Sequence, residues 1–255
     1  MTTHPFAKLT PVSPSPLRGN LRSVGLFLDF DGTLVELVDR PDNIVVDAAL
    51  HDLLGALAER LDGRLAIVSG RSIAQLDRFL GKLPAALAGS HGIERRARNG
   101  ATTLPAPPAS LASATAAAQR FAKDHPGVIV EIKSFGVALH YRLASAVEPE
   151  AHRFAARIAG ETGLSVQIGK MMVELKPRGD KGEAIAALLA EPPMAGTTPI
   201  FLGDDLTDEP GFATVRAHGG MGILVGPPRE TVATHHLPDV AAVRAWLRAA
   251  VEQPA

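Results

Sequence analysis

The sequence predicts an α/β protein in which a parallel sheet, covered by helices on both faces, is interrupted by an inserted α+β domain. Short apolar runs such as "VGLFL" and "LAIV" alternate with amphipathic helical patterns, which is the order of β-α units. The runs are apolar at every position, as in strands that are buried on both faces. Near the middle of the chain the order changes to helix-strand-strand, repeated once, which is typical of an antiparallel sheet with helices on one face.

Each predicted helix and strand rests on a local sequence pattern. In "DAALHDLLGALAERLDG" leucines fall on one helical stripe that ends at a glycine, and "SIAQLDRFLG", "KGEAIAALLA" and "DVAAVRAWLRAAV" show the same period. An Ala-rich helix ending at "HPG" opens the inserted domain. The pairs "VIVEIKS" with "GVALHYR" and "LSVQIG" with "KMMVELK" alternate apolar and polar residues, separated by the helix "EPEAHRFAARIAGETG".

These patterns predict three parts. Residues 1–20, rich in Pro, Ser and Thr, are expected to form a flexible tail. Residues 21–103 and 177–255 are expected to form the parallel-sheet core, and residues 104–176 the inserted domain, or cap. The Pro-containing linkers "LPAPPAS" and "KPRG" lie at the two crossings, so we expect a hinge that lets the cap close as a lid.

Composition excludes several classes of protein. The 255 residues are 46 % hydrophobic and 21 % charged with a net charge of −1, so no global basic field recruits nucleic acid or an anionic membrane. Because there are no cysteines, disulfides, thiolate zinc sites and a cysteine nucleophile are excluded. No apolar run approaches the roughly 18 residues of a membrane span, and the first residues lack a signal-type apolar core. We expect a soluble cytoplasmic protein, with a monomer favoured.

Polar residues stand where three of the apolar runs stop. The first run is followed by Asp29 and Asp31, the second by Ser69, Gly70 and Arg71, and the third by Gly203, Asp204 and Asp205. Ligands of open parallel sheets bind at the carboxyl ends of the strands. If the three strands are neighbours, four carboxylates and a hydroxyl therefore meet in one crevice.

A crevice of carboxylates implies a bound cation. Oxygen ligands without cysteine or a histidine cluster suit a hard ion, Mg²⁺ first, which shares a few carboxylates with water and a substrate phosphate. Lys181, at the start of the helix in "DKGEAIAALL", offers a point charge for a phosphate. Amides that follow Gly32 and Gly70 can donate to phosphate oxygens.

With these motifs the chain resembles the haloacid-dehalogenase-like (HAD) phosphatases, which have a Rossmann-like core. The four motifs read "DFDGTL", "IVSGRS", "DKGEA" and "GDDLTDE". More narrowly, "DFDGTLVELVDRPDN", "SHGIERR", "ALHYR", "VELKPRGDKGEAI" and "GDDLTDEPGF" resemble the trehalose-6-phosphate phosphatases. The resemblance covers everything but the two ends of the chain.

The resemblance implies a mechanism and a set of roles. Asp29 would be the nucleophile that forms an aspartyl-phosphate, and Asp31 the general acid and then the base. Mg²⁺ would be held by Asp29, the backbone carbonyl of Asp31, Asp204 and Asp205, the last directly or through water. Ser69 and Lys181 would hold phosphoryl oxygens together with Gly70 and Arg71, and Asp208 would orient Lys181.

One segment departs from the family pattern. The family has "KPxGxSKG", whereas this chain has the shorter "KPRGDKG". The loop must tighten to bring Lys181 to the phosphate, and Arg178 is the alternative cation.

The polar face of the cap sheet is expected to bind the sugar. Positions that resemble disaccharide contacts of the family are Glu131, Lys133, Arg142, Lys170 and Glu174. Met172, on the same face, would stack on a sugar ring or fill space. His91 and Arg95 in "SHGIERR" follow another apolar run and could contribute near the site, but a structural loop is the favoured interpretation.

Alternatives remain open at this stage. The substrate could be another phosphosugar, such as sucrose 6-phosphate or a glycosylglycerate phosphate, since only cap residues decide the sugar. A non-catalytic phosphosugar sensor is a further alternative, although it has no need of both an attacking and a proton-shuttling acid. A functional link to a trehalose-6-phosphate synthase is possible, and nucleic-acid binding has no support in the charge pattern.

Overall fold

A computed structural model of the protein describes residues 9–12, 21–38, 44–104, 106–169 and 171–252. Its contacts divide the chain into two compact units. The core unit comprises Met1–Leu104 and Gly179–Ala255, and the inserted unit comprises Pro105–Arg178. These limits fall close to the boundaries 104 and 176 that the sequence predicts.

A mixed sheet forms the centre of the core unit. Its strands are β1 (Thr10–Pro11), β2 (Val24–Leu28), β3 (Leu65–Val68), β4 (Ala86–Gly89), β5 (Glu94–Arg96), β6 (Thr102–Thr103), β11 (Thr198–Gly203), β12 (Met221–Val225) and β13 (His235–Leu237). Within the described residues the order is β1-β13-β12-β11-β2-β3-β4-β5-β6. Pairing is parallel from β1 to β4 and antiparallel from β4 to β6.

Helices cover both faces of this sheet, as the apolar runs predict. The helices are α1 (Ala48–Arg60), α2 (Ile73–Leu80), α5 (Lys181–Leu189), α6 (Glu209–Ala217) and α7 (Val240–Val251). Along β2, Leu26 and Leu28 pack in a cluster with α1, α2 and α7, whereas Phe27 packs in a second cluster with α5 and α6. Since alternate residues of one strand face opposite helical layers, the core unit has the three-layer Rossmann-like architecture.

Thr10 and Pro11 form a strand, which corrects the expectation of a flexible tail at these two positions, and residues 1–8 and 13–20 of the predicted tail lie outside the described residues. Thr10 and Pro11 form a parallel edge strand on β13, in register with His235 and His236. The backbone amide of Thr10 donates to the carbonyl of Thr234 at 3.1 Å. A proline tolerates this place because an edge strand need not donate on both sides.

The inserted unit is a two-layer α+β sandwich. Its strands are β7 (Ile129–Ile132), β8 (Val137–His140), β9 (Ser165–Gly169) and β10 (Met172–Lys176), in the antiparallel order β7-β8-β10-β9. Helices α3 (Ser110–Asp124) and α4 (Glu148–Thr162) pack against the face that carries Val137, Leu139, Val173 and Leu175. The helix-strand-strand repeat of the sequence therefore folds as predicted.

Two predictions in the inserted unit need comment. The strand "GVALHYR" ends at His140, and Arg142 begins a 3-10 turn, Arg142–Val147, so Arg142 does not lie on the sheet face that was assigned to it. The strand ends before Tyr141, whose backbone leaves the extended region with ψ of 21, while its side chain is buried in the same cluster as Val137 and Leu139. Lys170 lies outside the described residues. No helix in the described part of the chain has the length and apolar character of a membrane span.

Candidate active site

The three strands that end in polar residues are neighbours in the sheet. Strand β2 lies between β11 and β3, with Leu28 paired to both Leu202 and Ile67. Because all three strands are parallel, the residues that follow them lie at one edge of the sheet. The convergence of Asp29 and Asp204 predicted from the sequence is thus a property of the fold.

Asp29, Lys181 and Asp208 form a buried ionic cluster at this edge. The Nζ atom of Lys181 donates to Asp29 Oδ1 at 2.6 Å and to Asp208 Oδ1 at 2.6 Å. All three side chains are almost completely buried. Breaking such a cluster by removing one member is expensive, because it leaves an uncompensated buried charge. The prediction that Asp208 orients Lys181 agrees with this geometry.

The short loop before Lys181 delivers the ammonium without strain in α5. Asp180 is the N-cap of this helix, and its side chain accepts from the amide of Glu183 at 2.9 Å. The residue by which the chain departs from the family pattern therefore starts the helix one position before Lys181. Arg178, the alternative cation, is exposed.

Burial and mutual repulsion shift the pKa values of the cluster. Burial, together with the nearby Asp208 and Asp204, raises the pKa of Asp29 well above its ordinary value, although Lys181 opposes the shift. Burial, then Asp208, raises the pKa of Asp204 to about 6. For Lys181 burial favours the neutral amine, but Asp208 and Asp29 outweigh it, and the net pKa is raised. The single ammonium of Lys181 does not balance the negative charge of the three clustered carboxylates.

The donor set fits a hard divalent cation. Carboxylate oxygens of Asp29, Asp204 and Asp208 lie within 4.8 Å of one another. Both oxygens of Asp208 are already used, one by Lys181 and the other by the amides of Asp204 and Asp205 at 2.9 and 3.0 Å. Asp29 Oδ2 accepts a long contact of 3.5 Å from Thr33, so Asp29 and Asp204 are better placed than Asp208 to bind a metal such as Mg²⁺, which accepts one or two carboxylates together with water and phosphate oxygens.

Gly32 makes room for this arrangement. It has φ +74, and a Cβ atom there would lie 2.0 Å from Asp204 Oδ2. A side chain at position 32 would displace the carboxylate, so the glycine of "DGT" is required both for its backbone conformation and for the space that it leaves. Thr33, also buried, donates from its hydroxyl to Asp29 Oδ2 at 3.5 Å.

Asp205 does not join the carboxylate group. Its side chain is exposed and accepts from the amide of Leu206 at 2.7 Å, where it caps the 3-10 turn Leu206–Asp208. Among the described residues, the acid that completes the group with Asp29 and Asp204 is Asp208. Asp205 therefore lies outside the carboxylate group, and its contact with a metal, directly or through water, stays a prediction.

Asp31 is held by Arg71. Its two carboxylate oxygens accept from Arg71 Nε and Nη2, each at 2.8 Å. The guanidinium of Arg71 lies over the ring of Phe79, 5.0 Å from its centroid. A bidentate, stacked arginine fixes both the position and the direction of its partner. Arg71 is therefore placed to orient the proposed acid and base.

Ser69 and Gly70 occupy the turn between β3 and α2. Ser69 is fully buried, and its Oγ accepts from the amide of Arg71 at 3.2 Å. Gly70, which follows Ser69 at the carboxyl edge of the sheet, is exposed. Ser72 then caps α2 with a reciprocal contact to Gln75, so the loop ends at a rigid helix start.

Charged pairs lie on the sheet face of the inserted unit that does not pack on helices. The Nζ atom of Lys133 donates to Glu174 Oε2 at 2.8 Å, and His140 Nε2 lies 2.8 Å from Glu131 Oε2. Strand register places Glu131 and Glu174 on either side of Ala138 on one face. This face therefore carries the predicted group except for Arg142, which follows the strand, and Lys170, which is not described.

Sequence reasoning missed Glu94. This acid is buried at 5 % exposure, and it accepts from the amide of Ile73 at 3.2 Å and from the hydroxyl of Ser90. It lies in "SHGIERR", which was expected to be a structural loop. The sequence contained one signal for it: the acid follows an apolar run and a glycine turn, and a buried acid in such a place needs a hydrogen-bond partner.

A Rossmann-like sheet whose carboxyl edge carries a lysine and a group of aspartates that could hold a metal ion is the arrangement of a HAD-like hydrolase. A solved haloacid dehalogenase-like hydrolase from Bacteroides thetaiotaomicron shares this fold, with a TM-score of 0.66 at 16 % identity over 89 % of this chain and 98 % of that one. The family model for trehalose-phosphatase matches residues 27–239. The chain belongs to the trehalose-phosphatase family.

Two similar proteins give the same result. A trehalose-6-phosphate phosphatase of Escherichia coli (strain K12) is 43 % identical over 224 residues, which are 87 % of this chain and 84 % of that protein. The crystal structure of a trehalose-6-phosphate phosphatase related protein is 31 % identical, with a TM-score of 0.72 over 89 % of this chain and 96 % of that one. The chain is therefore a phosphatase of the HAD superfamily.

Proposed function

We propose that this protein is a Mg²⁺-dependent phosphatase that hydrolyses trehalose 6-phosphate to trehalose and inorganic phosphate. The observation that carries the proposal is the 2.6 Å contact between Lys181 and Asp29. It places an ammonium next to the attacking carboxylate, where it neutralises a phosphoryl oxygen. The choice of sugar follows from the similar phosphatase of Escherichia coli, whose name states that substrate.

The reaction proceeds in two displacements at phosphorus. Asp29 attacks phosphorus, the bond from phosphorus to the sugar oxygen breaks, and Asp31 gives its proton to that oxygen. Asp31 then takes a proton from a water, whose oxygen attacks the aspartyl-phosphate and releases phosphate and the free Asp29 carboxylate. Because Arg71 pairs with the ionised form of Asp31, it stabilises the state in which the proton has been given away.

Positioning supplies most of the acceleration, since a carboxylate is a weak nucleophile. The Ser69 hydroxyl and the Lys181 ammonium hold phosphoryl oxygens in line with Asp29. A bound Mg²⁺, which Asp29 and Asp204 would hold, neutralises phosphoryl charge and keeps the carboxylates ionised. Asp208 holds Lys181 and the amides of the loop that carries Asp204.

The disaccharide contacts are proposed for the inserted unit. The paired residues Glu131, Lys133 and Glu174, together with Arg142 and Lys170, offer charged donors and acceptors for sugar hydroxyls. Closure of the inserted unit over the substrate would exclude water from the phosphoryl group. The cytoplasmic location, the monomeric state and the link to a synthase stay predictions.

A phosphate-release panel tests the proposal. Purified protein with Mg²⁺ is incubated with trehalose 6-phosphate, sucrose 6-phosphate, glucose 6-phosphate and a glycosylglycerate phosphate. We expect turnover to be fastest with trehalose 6-phosphate and to be abolished by EDTA or by Asp29→Asn. Faster turnover of another sugar phosphate would overturn the sugar and keep the chemistry, whereas tight binding without turnover would establish a sensor.

The aspartyl-phosphate has its own test. Asp31→Asn keeps the nucleophile but removes the base of the second displacement, so the phosphorylated enzyme should accumulate. Intact-mass measurement after rapid acid quenching is expected to show one added phosphoryl group, absent in the double variant with Asp29→Asn. A mass increment that survives Asp29→Asn would exclude Asp29 as the nucleophile.

A further inference from the structure

A short turn after β4, residues Ser90–Glu94, contacts the loop that follows β3. The amide of His91 donates to the carbonyl of Ser69 at 2.9 Å, and the amide of Ser90 donates to the carbonyl of Arg71 at 2.7 Å. The imidazole of His91 packs on Gly70, where a Cβ atom would lie 2.8 Å from its ring. The turn therefore fixes three successive residues of the proposed phosphoryl-binding loop.

The opposite side of the same turn contacts the helix that carries Lys181. Gly92 has φ +96, and a Cβ atom there would lie 2.6 Å from Ala184 Cβ and 2.9 Å from the carbonyl of Asp180. The turn thus packs backbone to backbone against the first turn of α5. A side chain at position 92 would therefore push Lys181 away from the loop that carries Ser69.

Glu94 holds the turn in place. Its side chain accepts from the amide of Ile73, the first residue of α2, at 3.2 Å and from the hydroxyl of Ser90. The carboxylate is buried, and these two donors are neutral groups. Burying a carboxylate against neutral donors is costly, so an apolar residue would favour stability more.

The backbone of the turn is strained in a way that agrees with a positioning role. Ser90 and His91 both have left-handed conformations, with φ of 50 and 57. A left-handed conformation is unfavourable for residues other than glycine, and it is retained where surrounding contacts hold the backbone in place. Here the surroundings are the two segments that hold the proposed phosphoryl ligands.

We propose that the Ser90–Glu94 turn fixes the distance between Ser69 and Lys181, and that Glu94 is its central positioning residue. The proposal rests on the proposed function, in which those two residues bind phosphoryl oxygens. A shift of either segment by about 1 Å is enough to cost two orders of magnitude in rate. Glu94 itself does not contact the substrate and acts through the backbone of its neighbours.

The test compares Glu94→Leu with Glu94→Gln in the full-length protein. Leucine removes both acceptors, whereas glutamine keeps an acceptor for Ile73 and can donate to Ser90. We expect Glu94→Leu to lower kcat about 100-fold and to raise the inhibition constant of inorganic phosphate about tenfold, in line with one lost contact. Glu94→Gln should restore most of both. Should Glu94→Leu fail to fold, Ser90→Ala removes one of the two contacts and should show a smaller rise in the same inhibition constant.

A purely structural role makes a different prediction. Leu247→Ala opens a cavity beside α7, in an apolar cluster that contains no residue of the turn. It should lower Tm and leave the phosphate inhibition constant unchanged. If Glu94→Leu behaves like Leu247→Ala, the positioning role is overturned. If Ser69→Ala and Lys181→Met also leave phosphate inhibition unchanged, the proposed phosphoryl ligands are wrong and the positioning role falls with them.

Discussion

The ammonium of Lys181 lies 2.6 Å from the carboxylate of Asp29, although 152 residues separate the two in sequence. The whole inserted unit, Pro105–Arg178, lies between them in the chain. Both residues nevertheless belong to the core unit, one after β2 and the other at the start of α5. The proposed chemistry is thus assembled by the core unit alone, and sugar recognition by the inserted unit stays a proposal.

Lys181→Met should be more damaging than Lys181→Arg. Methionine leaves Asp29 and Asp208 buried without a cation, and we expect kcat to fall about 1,000-fold and the unfolding free energy to drop by about 3–5 kcal/mol. Arginine keeps the charge, so Lys181→Arg should retain more of the stability than of the activity. Activity is measured by phosphate release and stability by urea unfolding, for wild type and the two variants. Equal activity of Lys181→Met and wild type would remove Lys181 from the proposed site.

Most of the site could be predicted from the sequence because its residues follow apolar strands directly. A strand end is a local signal, and parallel pairing of three such strands brings Asp29, Ser69 and Asp204 to one edge. The same signal does not tell which acid, Asp205 or Asp208, joins the group of Asp29 and Asp204. That choice depends on the 3-10 turn in which Asp205 caps a helix start while Asp208 points back to Lys181.

Other features could not be predicted for a similar reason. The strand at Thr10–Pro11 exists through pairing with β13, far away in sequence, and its own residues have no strand pattern. The end of β8 at His140 reflects the backbone of Tyr141, whose ψ of 21 leaves the extended region, and a period of two does not reveal such a local change. Glu94 is similar, because its donors come from α2 and from its own turn.

Mg²⁺ should stabilise the protein through Asp204. Burial and Asp208 raise the pKa of this carboxyl to about 6, so at pH 7.5 the folded protein carries an unfavourable negative charge there. At a concentration of roughly 100 times its dissociation constant, Mg²⁺ should add about 2.7 kcal/mol, or roughly 5–10 °C in Tm. Asp204→Asn removes the charge and should abolish most of the shift.

The sign of the metal effect also follows from that pKa. Below pH 6 the Asp204 carboxyl is protonated in the folded protein and a proton competes with the metal, so the shift in Tm should shrink from pH 7.5 to pH 5. Thermal unfolding with Mg²⁺ or EDTA at both values measures it. A shift of the same size in Asp204→Asn would mean that the metal binds elsewhere.

Arg71→Ala should affect proton transfer more than binding. Arg71 holds both oxygens of Asp31 at 2.8 Å, and without it the acid loses its fixed direction. We expect kcat with trehalose 6-phosphate to fall about 100-fold, but considerably less with para-nitrophenyl phosphate, whose leaving group needs no proton. A rise in KM alone, equal for both substrates, would make Arg71 a binding residue only.

Lys133→Met should weaken sugar recognition and leave the chemistry intact. Lys133 pairs with the buried Glu174 at 2.8 Å on the polar face of the inserted unit. We expect kcat/KM for trehalose 6-phosphate to fall about tenfold or more, as for a lost charged hydrogen bond, with no change for para-nitrophenyl phosphate. Arg157→Met, which breaks an exposed ion pair with Glu161 on α4, is the matched control and should change neither value. A parallel loss with both substrates would argue against sugar contacts on this face.

His125 should make the stability of the inserted unit depend on pH. Its Nδ1 lies 2.7 Å from the carbonyl of Phe121 and its Nε2 lies 3.2 Å from the carboxylate of Glu150. Both partners are acceptors, so both contacts are hydrogen bonds when the ring is protonated, and the contact with the Phe121 carbonyl contributes most to raising the pKa of His125 above its usual value. The imidazolium links the end of α3 to the start of α4.

The sign of the effect follows from this raised pKa. The contribution of His125 to stability is fully present below about pH 6.5, where even the unfolded chain is protonated, and it is lost as the pH rises through the higher pKa of the folded state. In urea unfolding, the difference between wild type and His125→Gln should therefore be largest at low pH and shrink on the alkaline side. His51→Gln, at an exposed position of α1, is the control and should show no such trend. A His125→Gln difference that stays constant with pH would mean that the ring contributes by packing on Phe121 rather than by its charge.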